Sequence, residues 1–358
     1  MSAFMLRIVA VAGASLLAAC AEGGEGVAPG RDAVSFIVVG DTPYGPEDEA
    51  MLDDAMPLIK ASRTPFVIHL GDYKGGAAPC TDDHDAAFAG LIDALDPTPV
   101  FYTPGDNEWT DCDRNEDAGT GRPYSDLDRL DKIRTQFFSS PPAGLDDPDA
   151  AAALGYRRQD ALVENATWVH DRVRFLTVHV VGTNNGRNWV VGDSLLRASE
   201  AVDQRDAANL DWIAAGFDAA RRERARAVIV AMQGDPVQVA RQAQGKPCGV
   251  DGAERVRADG KQVCDGFIAL RRRLRDAAIT FDGPVLVMHG DTAPFTLNQD
   301  FLGDGAPNLW RFNAAGDAGV GRTGLPYGLR DVAMVTFDPS KKRPFSAFGL
   351  LTSETPKP

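Results

Sequence analysis

Five short apolar runs in this 358-residue chain lead into the dipeptide Gly-Asp, and their carboxylates are the first side chains capable of chemistry. β-Branched runs of this length closed by glycine are typical of buried parallel strands, whose carboxyl ends meet at one edge of a sheet. Carboxylates packed together repel one another, so a cation that neutralises them is the simplest physical explanation of such a set. The aspartates are Asp41, Asp72, Asp106, Asp235 and Asp291.

The spacing of the first three aspartates indicates how the chain positions them. Asp41 and Asp72 are 31 residues apart, and Asp72 and Asp106 are 34 apart. Each interval matches one strand-helix-strand unit, and right-handed crossovers place such strands side by side. We therefore expect the three carboxylates on one rim, with Asp72 in the centre.

The remaining elements follow from periodicity and predict an α/β protein. The tail segments VAMVTFDPS and PFSAFGLL read as antiparallel strands, and VENATWVHDRVRFLTVHVV reads as a hairpin, so two β layers between helices are favoured over one sheet. Residues from Trp109 to Ala153 read as a polar insertion that contains one helix. Helices are predicted at about 48–62, 82–95, 125–138, 199–225 and 264–279.

The composition restricts the classes of partner. There are 37 Lys and Arg residues against 51 Asp and Glu residues, so the formal net charge is -14. This charge disfavours nucleic acids and anionic membrane surfaces as partners.

The amino-terminal segment predicts export. Residues 1–20 carry one charge, Arg7, followed by an apolar run too short to span a bilayer and then Cys20. Leu17-Ala18-Ala19-Cys20 resembles a bacterial lipobox, in which the cysteine is lipidated and becomes the mature terminus. Residues 21–33 then form a flexible tether, and the location is the bacterial cell envelope or periplasm. An ordinary signal peptide is the alternative.

The other four cysteines are an even number in an exported chain, for which disulfides are the usual state. Local pairing predicts Cys80 with Cys112 and Cys248 with Cys264. Zinc ligation is the rival, but the sequence has no Cys/His cluster with the spacing of a zinc site.

The order of the motifs resembles that of the calcineurin-like metallophosphoesterases, over about residues 35 to 295. The corresponding segments are GDTPYG with Asp41, GDYK with Asp72, PGDNEW with Asp106, MQGDP with Gln233 and GDTA with Asp291. The chain departs from the family at every motif histidine. Pro43, Asn107, Gln233, Asp291 and Ala293 stand at those positions, so the resemblance is to a divergent member.

The resemblance implies a four-layer α/β/β/α sandwich with mixed sheets, formed by one domain over residues 34–352 with an insertion at about 109–153. It also implies two divalent metal ions and hydrolysis of phosphomonoesters or phosphodiesters by a metal-activated water. Asn107 and Glu108 stand at the catalytic motif. The metal ligands would be Asp41, Asp72, Asp106, Gln233, Asp291 and His289.

The chemistry of these ligands bears on metal and substrate. An oxygen-dominated set favours Mn, Mg or Ca over Zn or Fe. His289 is equally well explained as a core histidine. Tyr44 and Trp109 are candidate walls of the pocket for a phosphorylated small molecule, or they pack under the loops. Lys74 is a candidate phosphate contact, although a lone loop lysine is usually exposed.

Two functions remain open from the sequence. The first is an exported metal-dependent phosphoesterase, tethered to the membrane only through its lipid anchor. The alternative is a non-catalytic cation- or ligand-binding lipoprotein that kept the fold but lost hydrolysis.

Overall fold

A computed structural model describes residues 30, 32–187, 190–248, 263–299, 302, 305–322 and 324–358. Within this part of the chain the strands are β1 (Val34–Val39), β2 (Val67–His69), β3 (Val100–Tyr102), β4 (Glu116–Asp117), β5 (Arg122–Pro123), β6 (Arg157–Arg158), β7 (Ala166–His170), β8 (Val173–Thr177), β9 (Ala227–Ala231), β10 (Val285–His289), β11 (Thr296–Gln299), β12 (Leu309–Asn313), β13 (Gly316–Val320), β14 (Pro326–Leu329), β15 (Ala333–Phe337) and β16 (Phe345–Gly349). The helices are α1 (Pro46–Ser62), α2 (Asp82–Ala94), α3 (Asp126–Phe137), α4 (Pro148–Ala153), α5 (Leu195–Arg222) and α6 (Ile268–Phe281).

Two mixed sheets form the centre of the molecule. The first has the order β16-β15-β1-β2-β3, in which β1, β2 and β3 are parallel and β15 and β16 are antiparallel. The second has the order β11-β12-β10-β9-β8-β7-β6, and its central strands β8, β9, β10 and β12 are parallel. β2 lies between β1 and β3, as the spacing of the aspartates predicts.

Aromatic side chains from both sheets fill the space between them. Phe66, just before β2, is fully buried, and its ring centroid lies 5.7 Å from Phe36 and 5.6 Å from Phe101. From the second sheet, Trp168 and Phe175 lie 5.5 Å and 4.9 Å from the same ring. Burial of such rings is the largest apolar contribution to a sandwich core, so this cluster holds the two sheets face to face.

Helices cover the outer face of each sheet. α1 packs Met51, Leu52 and Ile59 against Ile37 and Val67 of the first sheet. α5 and α6 pack against the second sheet in a separate apolar cluster that contains Phe217, Leu274, Val230 and Val287. The layers are therefore helix, sheet, sheet, helix, and the predicted α/β sandwich is confirmed.

The five long predicted helices are present, with shifted ends. Pro57 lies inside α1, which nevertheless runs unbroken to Ser62. The insertion, predicted to contain one helix, contains a second one, α4, whose Asp147 caps its first turn by accepting from the Asp149 amide. Both predicted disulfides, Cys80–Cys112 and Cys248–Cys264, are present. No helix in the described residues is long and apolar enough to cross a membrane.

Candidate functional site

The strand-end aspartates adopt a backbone conformation that turns the chain sharply at the rim. Asp41 after β1, Asp72 after β2 and Asp291 after β10 have φ values of 53°, 57° and 67°. Aspartate tolerates this left-handed region better than most residues because its short polar side chain bonds locally. The chain therefore turns sharply at the end of each of these three strands.

The carboxylates of the two sheets meet at this rim. The Asp291 backbone amide donates to Asp41 Oδ1 at 2.8 Å, which joins the end of β10 to the end of β1. A side chain at Gly290 would clash with the Asp41 carboxylate, so only glycine permits this approach. The Asp235 amide donates to Asp291 Oδ2 at 3.3 Å, so Asp235 borders the group as well. We call Asp41, Asp72, Asp106 and Asp291 the carboxylate cluster.

Gln233 lies inside the carboxylate cluster as a hydrogen-bond donor. Its Nε2 donates to Asp72 Oδ2 and to Asp106 Oδ1, each at 3.0 Å. Its Oε1 accepts from the Gly182 amide at 2.6 Å, which fixes the amide orientation. The oxygen thus points away from the carboxylates. The prediction of Gln233 as a metal ligand does not match this arrangement.

Tyr44 supplies a second donor between the carboxylates. Its hydroxyl lies 3.3 Å from Asp41 Oδ1 and 3.2 Å from Asp72 Oδ2. Asn107 Nδ2 donates to the same hydroxyl at 3.2 Å, and the Asn107 amide donates to Asp72 Oδ1 at 3.1 Å. Tyr44 and Asn107 are therefore brought to the carboxylate cluster, as the sequence predicts.

Burial dominates the electrostatics of the carboxylate cluster. Desolvation raises the pKa of all four carboxyl groups above the usual aspartate value. The charge of Asp106 raises the pKa of Asp72 and of Asp291 further. Groups arranged in this way hold protons or require a positive partner.

The chemistry of the cluster fits a hard divalent cation, because every donor atom of the four aspartates is a carboxylate oxygen. The four carboxylates are not arranged as a preformed metal site. In the described residues no group of three or more His, Cys, Asp or Glu side chains is placed to hold a metal ion. Gln233 and Tyr44 hold the oxygens together, and a cation would have to replace their hydrogen bonds.

The Glu108 side chain is held in place by hydrogen bonds from neighbouring groups. Its side chain is fully buried and accepts from the Gly105 amide at 2.6 Å, the Tyr102 hydroxyl at 2.8 Å and the Asp72 amide at 3.0 Å. These bonds fix the loop that carries Asp106. Glu108 is therefore an acceptor within this loop, and its predicted catalytic role stays a prediction.

Three other predicted site residues lie away from the cluster oxygens. His289 Nδ1 contacts the Gly290 carbonyl at 2.7 Å, and its Nε2 faces Asp235 at 3.7 Å, so it points at no cluster carboxylate. Lys74 is buried and donates to the Ala78 carbonyl at 2.9 Å, contrary to a phosphate contact. Trp109 is buried under Arg205 at 5.2 Å. Cys20 lies outside the described residues.

A short turn after β8 completes the site, and Thr183 in this turn is not among the predicted site residues. Thr183, Asn184 and Asn185 all have positive φ, and the Thr183 hydroxyl donates to Asp106 and, at 3.2 Å, to Asp111. A side chain at Gly182 would clash with Asp291 and Asp106. The signal was available in the segment GTNNG, which follows a strong strand just as the Gly-Asp pairs do.

No protein-family model and no curated protein matches the chain. Solved structures do. A dimetal phosphatase from Danio rerio aligns with a TM-score of 0.46 and 12% identity, covering 85% of this chain and 95% of that protein. GAP50, the anchor in the inner membrane complex of Plasmodium, aligns with a TM-score of 0.44 and 13% identity, covering 91% and 88%.

Proposed function

We propose that this protein hydrolyses phosphoric esters with divalent cations bound at the carboxylate cluster. One observation carries the proposal. Buried carboxylates from the ends of β1, β2 and β10 and from the loop after β3 converge where the two sheets meet, with the Asp291 amide 2.8 Å from Asp41 Oδ1. The motif resemblance supports the same activity.

In this proposal Asp41, Asp72, Asp106 and Asp291 hold the cations, and Asp72 is the bridge. Cations at such a site supply Lewis acidity towards phosphoryl oxygens and offset the charge that develops on them. Asn107 Nδ2 would orient the ester by donating to a phosphoryl oxygen. No histidine stands at the motif position to assist the leaving group, so we expect substrates with good leaving groups, such as aryl phosphates.

A second candidate is a non-catalytic binding protein with the same fold. The hydrogen bonds of Gln233 and Tyr44 favour it, because these donors stabilise the cluster without any cation. It shares the fold with the first candidate and differs in that it does not hydrolyse an ester.

The two candidates are distinguished by whether a metal ion restores hydrolysis of a phosphate ester. Purified protein is stripped with a chelator and assayed on 4-nitrophenyl phosphate and bis(4-nitrophenyl) phosphate after addition of Mn, Mg, Ca or Zn. We expect Mn, Mg or Ca to restore hydrolysis, and Asp72→Asn to lower the rate by about 100-fold or more. The cation should also raise the melting temperature of the wild type but not of the variant.

Asp338→Asn is the matched control, because this buried aspartate lies at the opposite end of the first sheet, just after β15. It should keep both the rate and the metal-induced shift. Metal-induced stabilisation without hydrolysis would favour the binding protein. Equal shifts for the wild type and Asp72→Asn would contradict any metal site at Asp72.

We also propose that the chain is exported and anchored through a lipid on Cys20. The lipobox-like Leu17-Ala18-Ala19-Cys20 and the polar tether at 21–33 support this location, with residues 34–352 as one catalytic domain outside the cytoplasm. The substrate would then be a phosphorylated small molecule of the cell envelope or periplasm.

A further inference from the structure

A cavity lies beside α3 and α5, away from the carboxylate cluster. Its volume is about 340 Å³, at the small end of the range for ligand pockets. Its apolar walls are formed by Leu130, Leu162 and Val202. Its polar lining includes Trp109 and Arg205. No member of the carboxylate cluster lines this cavity. It is therefore a separate candidate site.

Arg205 is a buried cation with unused donors. Its side chain is 3% exposed, and Nη2 donates to the Asn185 carbonyl at 2.5 Å and to Asn185 Oδ1 at 3.1 Å. Nε and Nη1 have no hydrogen-bond partner. Among the described residues, no carboxylate lies within ion-pair distance of this guanidinium. Burial lowers the pKa of Arg205 to about 10, which still leaves it charged at neutral pH.

Two further groups on the cavity wall also lack partners. Trp109 lies with its ring 5.2 Å from the guanidinium, and its Nε1 has no acceptor. Asp126 Oδ1 is buried and unpaired, and burial raises the pKa of this carboxyl to about 9. Arg205 and Trp109 are thus the unpaired donors that line the cavity.

The unpaired donors on the cavity wall define the ligand. A buried donor without a partner costs free energy, and a charged one costs more. A ligand that relieves these costs must bring acceptor atoms and negative charge to Arg205 and Trp109. The walls formed by Leu130 and Val202 favour an apolar body on the same ligand.

We propose that this cavity binds a small organic carboxylate with an apolar body, whose oxygens accept from Arg205 and from Trp109 Nε1. This binding site is independent of hydrolysis at the carboxylate cluster. Asp72→Asn should therefore leave it intact, so failure of the proposed function and failure of this inference are distinguishable.

Benzoate tests the proposal on the full chain by isothermal titration calorimetry, with benzamide as the neutral analogue of the same shape. We expect benzoate to bind at least tenfold more tightly than benzamide, and Arg205→Gln to weaken benzoate binding at least tenfold. Equal affinity for the two compounds, no benzoate binding, or binding of inorganic phosphate without benzoate would overturn the proposal.

A cavity-filling variant keeps the test valid if Arg205→Gln fails to fold. Ala201 lies on α5 and lines the cavity, so Ala201→Leu should block it and reduce benzoate affinity at least tenfold with Arg205 in place. Ala207 is exposed on the same helix, so Ala207→Leu should bind benzoate as the wild type does. Unchanged benzoate affinity in Ala201→Leu would show that benzoate does not bind in this cavity.

Discussion

His69 shows what burial does to a single titratable side chain. It is 2% exposed at the end of β2, its Nδ1 accepts from the Gly71 amide at 3.2 Å, and its ring lies 4.7 Å from Phe88. Burial lowers its pKa to about 3. His69 is thus a core histidine, since its ring is buried among aromatic neighbours.

The lowered pKa of His69 predicts loss of stability in acid. The unfolded chain binds the proton near pH 6.5 and the folded chain only near pH 3, so the free energy of unfolding falls as pH drops below about 6.5. The loss approaches about 1.4 kcal/mol for each pH unit. His69→Gln removes the titration, so its unfolding free energy, measured in urea, should fall less steeply between pH 6.5 and 4.

Ile68→Val is the matched control for this measurement, because Ile68 is the buried neighbour in β2 and has no titratable group. Its pH profile should run parallel to that of the wild type. Parallel profiles for His69→Gln and the wild type would show that His69 carries no acid sensitivity.

At the residue scale, the sequence identified the types of group at the site but not all of their roles. The spacing placed Asp41, Asp72 and Asp106 at one rim, because right-handed crossovers put their strands side by side. It could not show which atom of Gln233 faces them, since the Gly182 amide decides that from another element. Hydrogen-bond direction depends on tertiary neighbours that no spacing reveals.

Two helices that are distant in sequence are joined by one buried ion pair. Arg129 of α3 donates from Nη1 and Nη2 to the two oxygens of Asp85 on α2, at 3.0 and 2.9 Å. Burial would raise the pKa of Asp85, but the hydrogen bonds and charge of Arg129 lower it below the usual value. The carboxylate is thus charged at neutral pH, and α3 is docked through it.

Replacing this arginine should strongly destabilise the fold. Arg129→Met removes both guanidinium hydrogen bonds to the buried Asp85 and leaves it Lys132 Nζ at 3.6 Å as its cationic partner, so the expected loss in unfolding free energy is about 3 to 5 kcal/mol by urea denaturation. Lys132→Met on the same helix is the control, because Lys132 is 39% exposed, its partner Asp82 is 86% exposed, and Arg129 remains to pair with Asp85. The control should lose less than about 1 kcal/mol. Similar losses for both would mean that α3 is held by its apolar face alone.

Element positions followed the sequence closely where periodicity was long. The sequence predicted a helix at about 199–225, and α5 runs from Leu195 to Arg222. The insertion after Trp109 was predicted as a polar excursion, yet Cys112, Ile133 and Arg129 in it are buried. Its polar composition concealed this, because buried pairs such as Arg129–Asp85 satisfy charges that otherwise indicate exposure.

At the scale of the whole molecule, the four layers place the carboxylate cluster at one rim and the aromatic core between the sheets. This architecture could be predicted because buried parallel strands and amphipathic helices alternate along the first hundred residues. The face-to-face arrangement of the two sheets brings Asp291 to Asp41 across 250 residues of sequence. Contacts of that separation arise only from the complete sandwich.

The amino-terminal segment decides where this molecule acts, and Cys20 is the residue that tests it. If residues 1–20 are a lipoprotein signal, the thiol of Cys20 is lipidated after export and the tether at 21–33 holds the domain off the membrane. Labelled palmitate should then enter the wild type expressed in a bacterial host, and the label should be absent from Cys20→Ser. Ala21→Ser changes the neighbouring residue, keeps the thiol and should retain the label.

Since an acidic surface of net charge -14 gives no attraction to anionic lipid, Cys20→Ser should also move from the membrane fraction to the soluble fraction. Label in Cys20→Ser, or in neither protein, would contradict the anchor and leave an ordinary cleaved signal peptide as the explanation.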